Sequence, residues 1–215
     1  EINRPLEVQG RASSDWFLNG SFVLTLEDGR GNELGRVDAV ALKDWRSTEE
    51  LIPFQAVFSY IPSNTQKGRL VFYGNQTEDG TQDTYVLPIT FGTKKVMLFY
   101  PNTPDQCGDE PFDSVTRYVS AENKIVEAIE LLISGELRED EQERGFYSYF
   151  PNSEFVLRGA VLEDGVLTLS FTPARAFTTG SPCYVQSLRT SIEQTAKQFW
   201  GIEEVVFFPE NLFEV

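Results

Sequence analysis

The stretch SPCYVQSLRTSIEQTAKQFWGIEEVVFF, residues 181–208, decides how the second half of the chain folds. Apolar residues recur through it at the spacing of an amphipathic helix, at Val185, Leu188, Ile192, Ala196 and Phe199. The apolar run at 204–208 then predicts a buried strand. The sequence therefore predicts a helix followed by a strand here, with a cysteine at the start of the helix.

Strands and helices also alternate upstream of this stretch. The expected elements are strands at 96–100 and 115–119, a helix with apolar positions 125, 128, 129 and 132, and a hairpin of 155–162 and 166–171. Ser120 is predicted to cap the first helix and Gly135 to end it. We expect residues 93–215 to form an α+β domain, a mixed sheet with two helices.

Residues 1–92 follow a different pattern, in which short apolar runs alternate with turn residues. Strands are predicted near residues 6–8, 22–26, 54–60, 69–73 and 85–91. Asp28-Gly29 and Asp79-Gly80 tolerate the positive φ that tight hairpins need. Many short strands in such a span are typical of an all-β immunoglobulin-like sandwich. We therefore expect two domains, 1–92 and 93–215.

Residue types that are missing exclude several kinds of chemistry. The 215 residues include no His and two Cys, so a Ser-His-Asp triad, a Cys-His dyad and the usual zinc sites are impossible. We expect no enzymatic activity, no cofactor and no metal site. A hydrolase that uses carboxylates, such as the adjacent Glu203-Glu204, is the alternative, and it would need two acids across a cleft.

The charge of the chain limits its partners. Its formal net charge is -15, which argues against nucleic acid and against an anionic membrane surface, since both attract clustered Lys or Arg. No apolar run approaches the roughly 20 residues of a membrane span. The chain starts at Glu1, and we expect an export signal or a membrane anchor upstream of residue 1.

Cys107 and Cys183 lie in two separate loops, and there is no third thiol. This arrangement predicts one structural disulfide, with a redox switch as the alternative. A structural disulfide would place the protein in an oxidising compartment.

Aromatic residues supply the candidate binding surface. Trp16, Phe17 and Trp45 could form an exposed patch that binds glycan or peptide, or they could pack in the core. Trp200 ends the long helix and could serve a contact between subunits or domains. The acidic run 136–143 could be a calcium site or a docking surface, but it lacks the ligand spacing of an EF-hand, and we expect a solvated face.

Several motifs in the second half match one family in order. They are Ala128–Gly135 for an "LL-x-G" helix end, Phe150-Pro151 for an "IP" step, Asp164–Phe171 for a "DG-x-x-x-V-x-F" hairpin, and Ile192–Thr195 for an "I-x-QT" helix. This half resembles the GerMN domain of the bacterial sporulation and germination protein GerM and of many envelope lipoproteins.

The first half resembles the immunoglobulin-like germination-associated domain that often accompanies GerMN. The matching residues are 4–12, Trp16-Phe17, Gly20–Phe22, Leu26–Asp28, Gly31-Asn32 and Pro53-Phe54. Arg4 stands where the family usually has Ser. The pairing of the two domains in one chain strengthens each resemblance.

The resemblance implies a non-catalytic protein of the bacterial cell envelope, outside the cytoplasm. It would be a membrane-anchored lipoprotein or a secreted protein, with a cysteine in each of the two loops that hold Cys107 and Cys183. The fold is similar to ring-building domains, which implies self-association. We expect a scaffold or assembly module, linked to sporulation or germination, that binds itself or an envelope protein. The alternative is a module that binds cell-wall glycan or peptide.

Overall fold

The structure, a computed structural model, describes residues 5–46, 51–60, 63–76, 80–102, 112–150, 155–172 and 181–213. The chain divides into two compact units, Glu1–Thr93 and Lys94–Val215. Unit 1 contains the strands β1 (Leu6–Ala12), β2 (Ser21–Asp28), β3 (Glu33–Ala41), β4 (Ile52–Phe58), β5 (Lys67–Gln76) and β6 (Gln82–Thr90), with a 3-10 turn at Ser14–Trp16.

The strands of unit 1 form one antiparallel sheet in the described residues, in the order β1-β4-β3-β2-β5-β6. The sheet is curled. Phe54 of β4 and Phe72 of β5 have ring centroids 6.3 Å apart, although two strands separate them in the sheet. Three strand intervals of a flat sheet would span about 14 Å. An all-β first half is therefore observed, and its immunoglobulin-like identity stays a prediction.

The Asp28 hairpin was predicted from its turn residues, and the structure shows how it is held. The buried Asp28 carboxylate accepts hydrogen bonds from the backbone N–H of Arg30 (2.8 Å) and of Asn32 (2.9 Å), and from the Asn32 side-chain amide. Gly31 has φ 88°, a conformation that favours glycine. Strand β3, which follows this turn, was not among the predicted strands.

Unit 2 contains β7 (Lys94–Tyr100), β8 (Asp113–Val119), α1 (Lys124–Ile133), α2 (Glu139–Glu143), β9 (Leu157–Glu163), β10 (Val166–Phe171), α3 (Pro182–Lys197) and β11 (Glu204–Phe208), then a 3-10 turn at Glu210–Phe213. One mixed sheet was expected here. In the described residues the strands instead form two ladders, antiparallel β7-β8 and mixed β11-β10-β9. The predicted hairpin joins β9 to β10.

The two long helices bury the faces that their periodicity predicts. Ala128, Ile129 and Leu132 of α1 are completely buried, and so are Ile192 and Ala196 of α3. Both helices pack into one core with β7, β10 and β11. Pro182 occupies the first turn of α3, where its missing N–H costs nothing, and Ser181 caps the helix by accepting from the N–H of Tyr184 at 3.3 Å.

The start of α1 differs from the prediction. The helix begins at Lys124, so Ser120 is not its N-cap. Instead, the backbone N–H of Ser120 donates to the Glu127 carboxylate at 2.8 Å, which ties the preceding turn to the helix. The end of α1 agrees with the prediction. Gly135 has φ 67°, and a Cβ there would lie 3.0 Å from the carbonyl oxygen of Phe150.

Candidate functional site

A buried ion pair holds the segment after α1 against β8. Arg117 has no exposed surface and Glu141 is 2% exposed, and two hydrogen bonds of 2.6 and 2.7 Å join their side chains. The guanidinium also donates to the carbonyl oxygens of Thr116 and Glu136. Burying either charge alone would cost several kcal/mol, whereas the two hydrogen bonds let each charge compensate the other.

Glu141 also caps the short helix α2. Its carboxylate accepts a hydrogen bond of 3.0 Å from the backbone N–H of Arg138. The prediction of a solvated acidic face at 136–143 is therefore wrong for Glu141, because this side chain pairs with Arg117 in the interior, and it is right for the exposed Glu139 and Asp140. One residue in the sequence could have indicated the buried pair. Arg117 alternates with Val115 and Val119 on the buried face of β8, and a buried cation there requires an acidic partner.

Polar residues of α3 cover the outer edge of β7. Thr195 accepts from the N–H of Phe99 (3.1 Å), and Gln194 accepts from the N–H of Phe112 (3.1 Å). Gln198 both accepts from the N–H of Met97 (2.8 Å) and donates to its carbonyl (2.7 Å). Thr195 and Gln198 thus cap the edge of β7, because they satisfy strand N–H groups that would otherwise be open to pairing. Gln194 instead binds Phe112, which precedes β8.

Trp200 stands on a rigid turn between α3 and β11 and is 99% exposed. Its neighbours Phe199 and Ile202 are buried in the core of unit 2 and hold the turn in place. Gly201, with φ 88°, makes the tight bend possible. An indole presented in this way offers a large apolar surface to a partner.

A second apolar surface of unit 2 is the outer face of the β11-β10-β9 ladder. Leu167, Leu169 and Val205 point into the core, so the alternate residues of these strands face away from it. Val206, Thr168 and Val161 are in register across this face, and Phe208 lies beside them with 60% of its surface exposed.

The other predicted aromatic residues lie in unit 1. Trp16 and Trp45 are both half-buried, and Phe17 is 2% exposed. Phe17 packs edge-on against Phe22 at 5.2 Å, so its inclusion in a binding surface was wrong. Trp45 lies against Gly20, where a Cβ would be 3.3 Å from the indole. Both indoles are only half-exposed, whereas the glycan-binding alternative requires exposed rings.

Trp16 lines an open slot in unit 1 with a volume of about 470 Å³. One wall of the slot is formed by Val8–Ala12 of β1, and the other by Tyr85 and Leu87 of β6. The rings of Phe22, Phe54 and Phe72 form the floor.

Two carboxylates of unit 2, Glu130 and Glu136, line one groove in the described residues, and the predicted pair Glu203-Glu204 is not part of its lining. Glu203 and Glu204 are both exposed, and no metal-holding group of His, Cys, Asp or Glu occurs in the part of the chain that the structure describes. Glu130 borders a groove at the end of α1 that Phe155 and Val156 also line. Burial raises the pKa of Glu130, and the charge of Glu127 raises it further.

One of the two cysteines lies among the residues that the structure describes. Cys183 is half-buried in the first turn of α3, and Cys107 lies outside the described residues. The bridge between them therefore stays a prediction.

The family of the second unit follows from its sequence. The family model "Germane: Sporulation and spore germination" matches residues 97–211. The chain belongs to the Germane family. The predicted GerMN-type domain is confirmed, and the match makes this a sporulation- and germination-related protein. The Arg117–Glu141 pair, the α3 edge cap and Trp200 all lie within the Germane match. No curated protein and no solved structure matches the chain.

The strand-rich unit 1 lies outside the Germane match and is compatible with an immunoglobulin-like domain. In the described residues, no helix is both long and apolar enough to cross a membrane.

Proposed function

We propose that this Germane protein is a non-enzymatic assembly module of the bacterial cell envelope, and that its copies associate through the Trp200 turn. The fully exposed indole is the observation that carries the proposal. Trp is enriched among the few residues that dominate binding energy in protein interfaces. Because Phe199 and Ile202 anchor the turn, its backbone has little conformational entropy left to lose on binding.

The outer face of the β11-β10-β9 ladder supports the same proposal. Val161 and Phe208 expose more than half of their surfaces, and exposed apolar patches on soluble domains often mark interaction sites. The covered edge of β7 is unsuited to strand pairing, because Thr195 and Gln198 already occupy its N–H groups. Contact through side chains is therefore favoured over edge pairing at β7.

Two further features support a location outside the cytoplasm. The motifs of the second half resemble the GerMN domain of envelope lipoproteins, which would make this an anchored protein. The predicted Cys107–Cys183 disulfide would persist only in an oxidising compartment. We propose an anchored or secreted protein whose partner at the Trp200 turn is a second copy of the same chain.

Crosslinking from position 200 in cells tests the contact. Trp200 is replaced by a photoreactive phenylalanine analogue, and Glu139, exposed on α2, is replaced in the same way as a matched control. We expect a discrete adduct between two copies of this chain from position 200 alone. Equal adducts from both positions, or none from position 200, would contradict the proposal.

Protease access tests the location. Protease added to intact cells from which the wall has been removed should digest a protein that lies outside the cytoplasmic membrane. A cytoplasmic marker in the same cells serves as the control. Protection of this chain together with the marker would rule out an extracytoplasmic location.

A further inference from the structure

The slot in unit 1 lies between the two ends of one curled sheet. Strands β1 and β6 are the outermost strands in the order β1-β4-β3-β2-β5-β6, and both line the slot. In the described part of the chain, β1 pairs with β4 alone and β6 with β5 alone. The sheet therefore curls toward a closed barrel and stops short, with an unpaired backbone edge on each side of the gap.

The interior of the slot is apolar and partly open to solvent. Tyr85 is 56% exposed and Leu87 is 41% exposed on one wall, and Leu51 is 54% exposed at the rim. Gly10 on the opposite wall has no side chain, and the ring of Phe54 takes that space, since a Cβ there would lie 2.6 Å from it. Apolar side chains entering the slot would meet a floor of aromatic rings.

We infer that the slot binds an extended segment of another protein, which adds as a strand between β1 and β6. An extended backbone can pair with unpaired strand edges, while its alternate side chains point into the apolar interior. The accessible β1 wall, Val8–Ala12, matches a strand of about five residues. A rounded ligand would fill the interior but leave both backbone edges unpaired.

The charge of unit 1 narrows the class of peptide. Residues 1–93 contain 8 Lys or Arg and 13 Asp or Glu, a net charge of -5. Arg11 is the one charged residue among the described residues that line the slot, so the part of the segment inside the slot should carry no Lys or Arg. The net charge of the unit favours Lys or Arg only at the two ends of the segment, outside the slot. The occupant is thus an alternating apolar strand with basic flanks. This site belongs to unit 1 and does not depend on the contact proposed for Trp200.

Calorimetric titration of the full chain with a synthetic peptide tests the inference. In the probe, valine and threonine alternate between two pairs of lysines. A second peptide has the same sequence with N-methyl groups on alternate backbone nitrogens, which prevents strand pairing. We expect saturable binding of the first peptide and a loss of about tenfold or more for the second.

Two variants of β6 form a matched pair. Leu87→Lys places a charge in the slot. Val86→Lys places the same charge on the neighbouring residue, which is outside the slot and similarly exposed, at 46% against 41%. Leu87→Lys should weaken binding by about tenfold or more, and Val86→Lys by about twofold at most. Trp200→Ala should leave peptide binding unchanged whether or not the chain self-associates.

Three results would overturn the inference. The first is no saturable binding of the unmodified peptide. The second is equal binding of the N-methylated peptide, because strand pairing would then contribute nothing. The third is an equal effect of Leu87→Lys and Val86→Lys. The comparison of the two peptides uses the unaltered protein. It therefore tests strand pairing in the slot even if the Leu87 variant does not fold.

Discussion

Arg117 is the residue on which the local structure of unit 2 depends most. It is completely buried, and its guanidinium joins β8, the carbonyl of Glu136 and the carboxylate of Glu141. Tyr100, also buried, donates to the carbonyl of Leu132 at 3.1 Å, and burial raises its pKa, so it stays a neutral donor. Together these bonds fix the end of α1 and the segment that follows it.

Removing one partner of the ion pair should be costly. Arg117→Met leaves the Glu141 carboxylate buried without its counter-ion, and we expect a loss of about 3–5 kcal/mol in the free energy of unfolding. Urea denaturation measures this loss.

Two controls accompany this measurement. The double variant Arg117→Met/Glu141→Leu removes both charges and should recover most of the stability. Arg36→Met breaks the exposed Arg36–Glu33 pair and should cost less than about 1 kcal/mol. A loss at Arg117 as small as the loss at Arg36 would mean that the buried pair does not hold this region.

Glu130 should make stability depend on pH. Its pKa is raised by burial and by Glu127, so the folded state binds the carboxyl proton more tightly than the unfolded state does. Ionisation of Glu130 therefore destabilises the fold, and the penalty appears as the pH rises through the folded pKa. Glu130→Gln should raise the unfolding free energy at neutral pH, and this gain should vanish below about pH 4.

Thermal unfolding across this pH range is the measurement for Glu130. Glu122→Gln removes the same charge from an exposed turn and is the matched control. The gain for Glu130→Gln should be small, because Glu130 is itself exposed and solvent screens its interactions. A gain that persisted unchanged at low pH would show that ionisation is not its cause.

At the scale of elements, α3 has two roles. One face fills the core through Leu188 and Ile192, and its last turns satisfy the edge of β7 through Thr195 and Gln198. Periodicity predicted the first role. The second depends on which strand lies beside the helix, which no local pattern in the sequence encodes.

Thr195→Val tests the edge cap. The substitution keeps the shape of the side chain but leaves the N–H of Phe99 without its acceptor, and we expect a loss of about 1–3 kcal/mol in unfolding free energy. Amide hydrogen exchange should also become faster at Phe99.

Thr168→Val makes the same chemical change on the outer face of β10, where the side chain is half-buried. Thr168→Val should have little effect on the unfolding free energy or on the rate of amide hydrogen exchange at Phe99. If both variants behaved alike, the bond from Thr195 to β7 would be unimportant.

The elements that the sequence predicts well are those with strong local signals. Both long helices show the 3.6-residue period, and the β9-β10 hairpin has Asp164-Gly165 at its turn, with φ of 48° and 84°. Ser120 was assigned the wrong role because a serine before a helix is a cap only if the chain adopts the cap geometry. The separation of β7-β8 from β9-β10-β11 is a tertiary feature, and local patterns do not specify it.

At the scale of the whole molecule, the candidate surfaces were predicted unevenly. Trp200 was predicted as a contact residue at the end of its helix, and the structure shows it fully exposed. Trp16 and Phe17 are sequence neighbours, yet one lines a slot and the other is buried. The slot itself depends on how the sheet curls, so only the folded unit reveals it.

The predicted Cys107–Cys183 disulfide would constrain unit 2. In the chain-entropy model, closing a loop of this length stabilises the fold by about 4 kcal/mol. Mass measurement after alkylation without reductant should find no labelled thiol, and reduction should lower the unfolding temperature. Two labelled thiols in the unreduced protein would refute the bridge.

Light scattering over a wide concentration range, with and without calcium, tests whether the protein assembles. We expect growth to a discrete multimer that strengthens with added salt, because salt screens the repulsion between copies of net charge -15. Trp200→Ala should weaken association by about thirtyfold, the effect of losing an interface anchor of about 2 kcal/mol. A strict monomer at every concentration, or a multimer unaffected by Trp200→Ala, would contradict assembly through the Trp200 turn.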